Sequence, residues 1–290
     1  MLAAEIRPTA VPPAPEPATE RVSPARLSLN QITADRYDTR AVVEACVRHE
    51  IGWISLWRHK VAELGVRETA RLVRDAGLSV SSLCRGGFFA AITESERQAR
   101  HDDNRRALEE AAELGTQVLV LVCGPAPDRD LEGARRMVIE GIERLLPDAE
   151  RLGVRLGVEA LHPVYAGDRS VVVTLGQANG IAERFPRELV GVIVDAYHVW
   201  WDPDVYGQIA RAGSRALGFH VSDWLVPSPD PLMGRGVMGD GVIELRRLRA
   251  AVDAIGYGGP IEVEIFNQQV WDMPLDEMLP LIKRRFVEHV

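Results

Sequence analysis

The sequence contains little cysteine and no long apolar stretch. Its 290 residues include three cysteines, Cys46, Cys84 and Cys123, and this set offers no disulfide framework and suits a reducing compartment. No run reaches the roughly 18 apolar residues that a membrane-spanning helix needs. The first 24 residues are rich in proline and alanine and lack the apolar centre of a secretory signal. These absences predict a cytoplasmic protein without a membrane partner, preceded by a disordered leader over residues 1–24.

The chain also lacks an excess of positive charge and the sequence signature of a phosphate-binding loop. The formal net charge is −8, which argues against nucleic acid as a partner. A doubly wound nucleotide-binding sheet normally has a glycine-rich loop after its first strand, and the segment SLNQIT at 28–33 has none. The glycine-rich segment 234–241 is not followed by the Lys-Ser/Thr pair of a P-loop.

Strand-like and helix-like segments alternate regularly after the leader. The predicted strands are Leu27–Ile32, Trp53–Trp57, Ser79–Arg85, Gln117–Gly124, Arg155–Leu161, Val190–His198, Ala216–Trp224 and Pro260–Asn267. The predicted helices are Thr39–Glu50, Val66–Ala76, Ser95–Leu114, Leu131–Leu152, Leu175–Arg184, Val205–Ala212, Glu244–Ile255 and Leu275–Glu288. Parallel strands need such helical crossovers. Eight repeats predict a single α/β domain over residues 25–290, a closed (β/α)8 TIM barrel, with an open doubly wound sheet as the alternative.

The last four predicted strands carry polar residues near their C-terminal ends: Glu159, Asp195, His220 and Glu264. In a (β/α)8 barrel the functional site lies at this end of the strands. Buried carboxylates are tolerated mainly when they are paired or bind a metal. Three carboxylates and one imidazole favour Mn²⁺, with Mg²⁺, Co²⁺ or Zn²⁺ as alternatives. We therefore predict one divalent cation bound by these four residues. The alternative is that these residues form local salt bridges or cap loops. That alternative is weaker, because four such groups on consecutive strands would leave like charges uncompensated and repelling one another.

Further side chains are candidates for contact with a substrate. His162 follows Glu159 by three residues, and His198 follows Asp195 by three. At these positions each is expected to donate a hydrogen bond to a substrate oxygen, with support of the metal ligands as the alternative. The other candidates are strand-end or loop residues: Trp57, Arg85, Trp224 and Arg235. Aromatic side chains on one rim can stack against a sugar ring or pack loops together.

With these residues in place, the chain resembles the xylose isomerase-like barrel superfamily of sugar isomerases and epimerases. The motifs that carry the resemblance are VEALHP around Glu159, VDAYH around Asp195, FHVSD around His220, MGDGVIEL at Met238–Leu245 and VEIFN around Glu264. It extends from Leu27 to the C-terminus. In that family the Glu, Asp, His and Glu bind one divalent cation, and the two histidines contact the substrate.

The resemblance implies an isomerase or epimerase of a small carbohydrate: a keto sugar, a sugar phosphate or an inosose. Glu159 and Glu264 would serve both as metal ligands and as acid/base groups through an enediolate intermediate. Some family members carry an arginine shortly after the seventh-strand histidine, whereas His220–Asp230 contains none. Arg235 could replace it from further along the chain.

Other functions remain as alternatives. A lyase on the same barrel would expel a β-substituent from the enediolate, as in dehydratases of the keto-inositol or dehydroshikimate type or in deglycosidases of 3-keto C-glycosides. A DNA-repair endonuclease on the same barrel is a further alternative. Resemblance to that branch implies a site with three zinc ions and extra histidines on the early strands, where this chain has Trp57, Arg85 and Cys123. A non-catalytic sugar-binding barrel is the last alternative. A homo-oligomer is possible, and no predicted helix identifies an interface.

Overall fold

Eight parallel strands close into a barrel in the computed structural model, which describes residues 14–290. In chain order they are β1 (Leu27–Asn30), β2 (Trp53–Trp57), β3 (Ser79–Gly87), β4 (Val118–Val122), β5 (Arg155–Glu159), β6 (Val190–Asp195), β7 (Ala216–Val221) and β8 (Ile261–Val263). Each strand pairs with the next one in the sequence, and β8 pairs with β1 to close the ring. The (β/α)8 prediction is therefore confirmed, and the open doubly wound sheet is excluded.

Helices surround the barrel between the strands. They are α1 (Thr39–Arg48), α2 (Arg58–Leu64), α3 (Val66–Asp75), α4 (Glu94–Glu113), α5 (Leu131–Leu152), α6 (Leu175–Ala182), α7 (Ala196–Val199), α8 (Val205–Ala212), α9 (Leu245–Ala254), α10 (Gln268–Trp271) and α11 (Leu275–His289). Helix α4 begins with a capping box, in which Thr93 and Glu96 bond to each other's backbone. Helix α5 ends at Gly153, whose φ of 67° is the left-handed conformation that favours glycine. Within residues 14–290, no helix is both long and apolar enough to cross a bilayer.

Several predicted boundaries differ from the structure at the C-terminal ends of the strands. Strand β6 ends at Asp195 rather than at His198, because the Asp195 carboxylate accepts a hydrogen bond from the Tyr197 amide at 2.8 Å and starts helix α7. Strand β8 is shorter than predicted, and Asn267 caps helix α10 instead of ending a strand. Helix α2 was not predicted, because it is short and buries only Lys60 and Val61.

The loop after β7 returns to the barrel mouth as a small antiparallel pair. Asp223–Trp224 pairs with Arg235–Gly236, and the Arg235 amide also donates to the carbonyl oxygen of Phe266 at 3.2 Å. The Asp223 carboxylate accepts hydrogen bonds from the amides of Gly239 and Ile243 at 2.8 and 3.0 Å. These contacts fix the loop that carries Arg235 over the C-terminal ends of the strands.

The predicted disordered leader, residues 1–24, falls partly outside the described residues. Of the part from residue 14 onward, Val22 is buried in the core. The Ala18 amide donates to the carbonyl oxygen of Arg246 at 3.2 Å, and Arg249 donates to the carbonyl oxygen of Glu20 at 2.5 Å. The two hydrogen bonds attach residues 18–20 to helix α9, whereas the sequence predicts no structure before residue 25.

Candidate active site

Three of the predicted metal ligands meet at the C-terminal end of the barrel. Glu159 ends β5, Asp195 ends β6, and His220 lies one residue before the end of β7. Asp195 and His220 are register partners on adjacent parallel strands, so their side chains project to the same side of the sheet. One ligand atom from each of the three residues lies within 4.8 Å of the others. This spacing is compatible with a shared ion.

The polar atoms of this cluster lack the partners that buried groups normally have. Glu159 Oε1, Asp195 Oδ2 and both ring nitrogens of His220 are buried and make no hydrogen bond with any residue between 14 and 290. Glu159 Oε1 and His220 Nδ1 are 3.3 Å apart, but they are not aligned for a hydrogen bond. Such orphaned atoms are costly unless a ligand satisfies them. The three residues therefore fit a divalent cation.

Uncompensated negative charge also perturbs the protonation of the cluster. Burial raises the pKa of Asp195 to about 7, with Glu264 and Glu159 adding to the rise and Arg235 opposing it. Burial lowers the pKa of His220, but Glu262 and Glu159 outweigh it and raise that pKa to about 10. A divalent cation would relieve this excess of negative charge.

Glu264, the fourth predicted ligand, lies at the same end of the barrel with a different partner. Its Oε2 accepts a hydrogen bond from Arg235 Nη1 at 2.8 Å, and the same nitrogen is 3.6 Å from Asp195 Oδ2. The Arg235 guanidinium lies between the rings of Tyr197 and Phe266, 4.4 and 4.8 Å from their centroids. Arg235 thus lies at the site, where it pairs with Glu264, and its contact with a substrate stays a prediction. Whether Glu264 also binds a cation remains a prediction.

A further buried carboxylate, Glu262, lies beneath the cluster. Its Oε2 is 3.2 Å from His220 Nε2 and accepts a hydrogen bond from Asn30 Nδ2 at 3.1 Å. Its Oε1 accepts a hydrogen bond from Ser81 Oγ at 2.8 Å. Glu262 and His220 are also register partners on β8 and β7. Because metal-binding histidines usually donate their second ring N–H to a carboxylate, Glu262 is placed to orient His220.

The two predicted substrate histidines occupy different environments. His198 is buried, and its Nε2 is 3.2 Å from Arg235 Nη2. Burial and then the charge of Arg235 hold the pKa of His198 well below its ordinary value, so the ring is neutral. The His162 ring stacks on Trp224 with centroids 4.8 Å apart. It is therefore part of the loop packing beside the site.

A cavity of about 140 Å³ lies at this end of the barrel, beside the cluster. Six of the predicted residues line it: Trp57, Arg85, Glu159, His198, Arg235 and Glu264. The other four predicted residues, Asp195, His220, His162 and Trp224, are not among its lining residues. Contact of His162 and Trp224 with a substrate stays a prediction. A larger cavity of about 700 Å³ lies at the opposite ends of the strands, beside Ser79, Ser81 and Tyr257. The buried carboxylates of Glu159 and Glu264 and the imidazole of His198 identify the smaller cavity as the candidate active site.

Sequence reasoning did not find Glu262, nor the aromatic pair around Arg235. Glu262 and Glu264 are two residues apart on one strand, so the alternation of side chains along a strand could have placed both on the inner face. Tyr197 and Phe266 come together with Arg235 from three separate segments. No local signal in the sequence predicts that meeting.

The comparisons with known proteins agree with this architecture. A family model described as a xylose isomerase-like TIM barrel matches residues 42–284. A solved structure of a protein from Sinorhizobium meliloti is 47% identical, with a TM-score of 0.90, and the match covers 92% of this chain and 99% of that chain. The IOLI protein with a bound zinc atom is 20% identical, with a TM-score of 0.80, and the match covers 91% and 98% of the two chains. At that identity the likeness concerns the fold.

Curated relatives are enzymes of the dehydratase, isomerase and epimerase kinds. A 3-dehydroshikimate dehydratase of Pseudomonas putida is 27% identical over 208 residues, which are 69% of this chain and 31% of the dehydratase. The chain thus spans about a third of the length of that relative. Inosose isomerases and a ketose 3-epimerase match at between 23% and 25% identity. With most of its length matched by the family model, the chain belongs to the xylose isomerase-like TIM barrel family.

Proposed function

We propose that this chain is a divalent-metal-dependent isomerase or epimerase of a keto sugar, a sugar phosphate or an inosose. One observation carries the proposal: Glu159 Oε1, Asp195 Oδ2 and both ring nitrogens of His220 are buried close together without a hydrogen-bond partner among residues 14–290. Glu159 also lines one cavity with a further buried carboxylate, Glu264. The family relatives named as inosose isomerases and a ketose 3-epimerase support the same class of reaction. The ion that we propose is Mn²⁺, with Mg²⁺, Co²⁺ or Zn²⁺ as alternatives.

The cation would be held by Glu159, Asp195 and His220, with Glu264 as a proposed fourth ligand. When bound, it supplies a Lewis acid that stabilises negative charge on a substrate oxygen. Glu159 and Glu264 both line the cavity, and we assign them the proton transfers. One carboxylate takes the proton from the carbon next to the carbonyl, and the electron pair of the broken C–H bond moves into the enediolate. The other carboxyl group, in its protonated form, donates a proton to the opposite face of the same carbon, which inverts that centre, or to the neighbouring carbon, which moves the carbonyl group.

Other side chains bind and orient the substrate in this proposal. Neutral His198 is placed at the cavity to contact a substrate oxygen. Arg235 is held by Glu264 and two aromatic rings, and it keeps the Glu264 carboxylate oriented. Trp57, whose indole N–H donates to Asn30 Oδ1 at 2.7 Å, presents an aromatic surface to a sugar ring.

A dehydratase is the second candidate function. Among the curated relatives, 3-dehydroshikimate dehydratases of two Pseudomonas species match at 27% and 29% identity, above the isomerases and the epimerase. The first step is common to both reactions, because removal of a proton next to a carbonyl produces the same type of intermediate. The outcomes differ in whether a proton is returned or a β-hydroxyl leaves as water.

Solvent isotope exchange tests both candidates. The chain, loaded with Mn²⁺, is incubated in D₂O with D-fructose, D-fructose 6-phosphate, an inosose or 3-dehydroshikimate, and the products are followed by NMR and mass spectrometry. Deuterium at carbon without loss of water supports the isomerase, whereas loss of water supports the dehydratase.

Two variants control this experiment. Glu264→Gln is expected to slow exchange by about 10²–10⁴-fold while the fold is retained. Glu143→Gln, at an exposed position of α5, is expected to leave exchange unchanged. The absence of exchange and elimination with every compound would reject the proposal. The cytoplasmic location, the absence of a nucleic-acid partner and a homo-oligomeric state stay predictions.

A further inference from the structure

Arg85 is turned into the candidate active-site cavity by an irregularity of strand β3. Cys84 pairs with Val120 and Gly86 pairs with Leu121, so Arg85 is an extra residue without a partner on β4. In a regular strand, consecutive side chains point to opposite faces, and a bulge changes that direction. Here Cys84 and Arg85 both line the cavity. The bulge thus brings a guanidinium to a wall that is otherwise partly apolar.

The Arg85 guanidinium has no anionic partner within the described part of the chain. It lies over the Phe88 ring, 4.1 Å from the centroid, and no hydrogen bond or ion pair of its side chain occurs among residues 14–290. Asp103, whose charge acts on Arg85, is already paired with Arg58 at 2.9 Å. Burial lowers the pKa of Arg85, and the neighbouring Arg169 adds to that effect. A half-buried positive charge of this kind is stabilised by an incoming anion.

Arg169 contributes a second incompletely paired guanidinium to the same cavity. Its Nε is buried without a hydrogen-bond partner in the described chain, and it approaches Asp168 Oδ2 only to 3.7 Å. The backbone of this segment is well anchored, because the Gly124 amide donates to the carbonyl oxygen of Arg169 at 2.9 Å. Arg169 therefore comes from a fixed loop.

We propose that Arg85 and Arg169 form a subsite for an anionic group of the substrate, a carboxylate or a phosphate, in the cavity that also contains Glu159 and Glu264. Two guanidinium groups recognise such oxyanions through charge-assisted hydrogen bonds. Arg235, the third arginine of the cavity, is occupied by Glu264, so it is not available for this task. The inference rests on the proposed function and narrows it, because neutral keto sugars lack the group that this subsite binds.

Anion binding to the metal-free full-length chain tests the subsite. Inorganic phosphate and acetate are titrated separately by calorimetry at low ionic strength, as probes of the phosphate and carboxylate chemistries. The wild type is expected to bind at least one of them at a single site. Arg85→Gln and Arg169→Gln are each expected to weaken that binding by at least about tenfold, since each removes charge-assisted hydrogen bonds.

Arg67→Gln is the matched control, because Arg67 is exposed on helix α3 away from the cavity lining. It is expected to bind the anion as the wild type does, and circular dichroism confirms that each variant is folded. Failure of both anions to bind the wild type would overturn the proposal, as would binding that survives both cavity substitutions.

The same proteins separate this inference from the proposed function. Mn²⁺ is titrated into each variant, and cation binding is expected to be unchanged when Arg85 or Arg169 is replaced. Cation binding and isotope exchange without anion binding would reject the subsite and leave the proposed function intact. Anion binding that depends on the arginines, without a bound cation or exchange, would reject the proposed function and retain the subsite. With an anionic substrate, Arg85→Gln is expected to raise KM at least about tenfold with a smaller effect on kcat.

Discussion

Replacement of Glu262 by glutamine tests whether this buried carboxylate supports the candidate metal centre. Glutamine has nearly the same shape, so the contacts with Asn30 and Ser81 can persist, whereas the negative charge 3.2 Å from His220 Nε2 is lost. Loss of a carboxylate behind a metal-binding histidine typically weakens metal affinity about 10- to 100-fold, or about 1.4–2.8 kcal/mol. We expect Glu262→Gln to weaken Mn²⁺ binding within that range.

The pH dependence gives this prediction a second signature. In the metal-free protein the pKa of His220 is raised to about 10, so at neutral pH a proton must leave the imidazole before the ring can bind a cation. Wild-type affinity should therefore rise with pH until that proton is gone. Glu262→Gln removes the largest contribution that raises this pKa, so the affinity of the variant should depend less on pH. The ratio between the two affinities is expected to widen as the pH increases.

The assay is a titration of metal-free protein with Mn²⁺ in competition with a chelator, repeated at several pH values. Ser81→Ala is the matched control, because it removes a hydrogen bond to Glu262 and leaves the charge in place. That variant is expected to stay within about threefold of the wild type, because Ser81 does not contact His220 and the charge beside the imidazole is retained. Equal affinities of the wild type and Glu262→Gln at every pH would refute the reasoning.

Three further predictions concern catalysis, folding and the cation. Glu264→Gln and Glu159→Gln should each slow solvent exchange by about 10²–10⁴-fold, the usual contribution of a general acid or base, and exchange at the wild-type rate would exclude the residue from proton transfer. Gly191→Ala should destabilise the fold by about 1–3 kcal/mol in urea unfolding, because a Cβ there would lie 2.1 Å from the carbonyl oxygen of Arg215. Gly52→Ala, with no atom within 4 Å of its Cβ, should change the stability by less than about 0.5 kcal/mol, and equal effects of the two would contradict the packing. Removal of Mn²⁺ with EDTA should lower Tm, since a cation at a hundredfold excess over its Kd stabilises the folded state by about 2.7 kcal/mol, and an unchanged Tm would argue against a bound ion.

The fold could be predicted because its signals are local. Apolar runs of strand length, helical periodicity between them and glycines after the helices recur along the chain, and Gly77, Gly115, Gly153 and Gly256 all adopt positive φ. The positions of Glu159, Asp195 and His220 followed from the same regularity, because parallel strands of one barrel end at the same face.

The partners within the site could not be predicted in the same way. The pairing of Arg235 with Glu264 depends on how the loop after β7 returns to the barrel, and the stacking of His162 on Trp224 joins two different loops. Such contacts are set by tertiary packing rather than by local sequence preference. The strand bulge at Arg85 belongs to the same class, since a register shift between β3 and β4 leaves no mark in the strand sequence.

The charges around the cavity are arranged unevenly, and this arrangement links the proposed metal centre to the proposed anion subsite. On the inner side, Glu159, Asp195, Glu262 and Glu264 face Arg235 and His220. Burial is the main cause of the raised pKa of Asp195, whereas Glu262 and Glu159, against the opposing effect of burial, raise the pKa of His220. On the wall formed by β3 and the loop after β5, Arg85 and Arg169 lack that compensation. A substrate with an anionic group and a carbonyl group would therefore have one favoured orientation, with its anion at the arginines and its carbonyl toward the carboxylates and their cation. In that orientation, the carbon next to the carbonyl lies on the side of the cavity where Glu159 and Glu264 can exchange its proton.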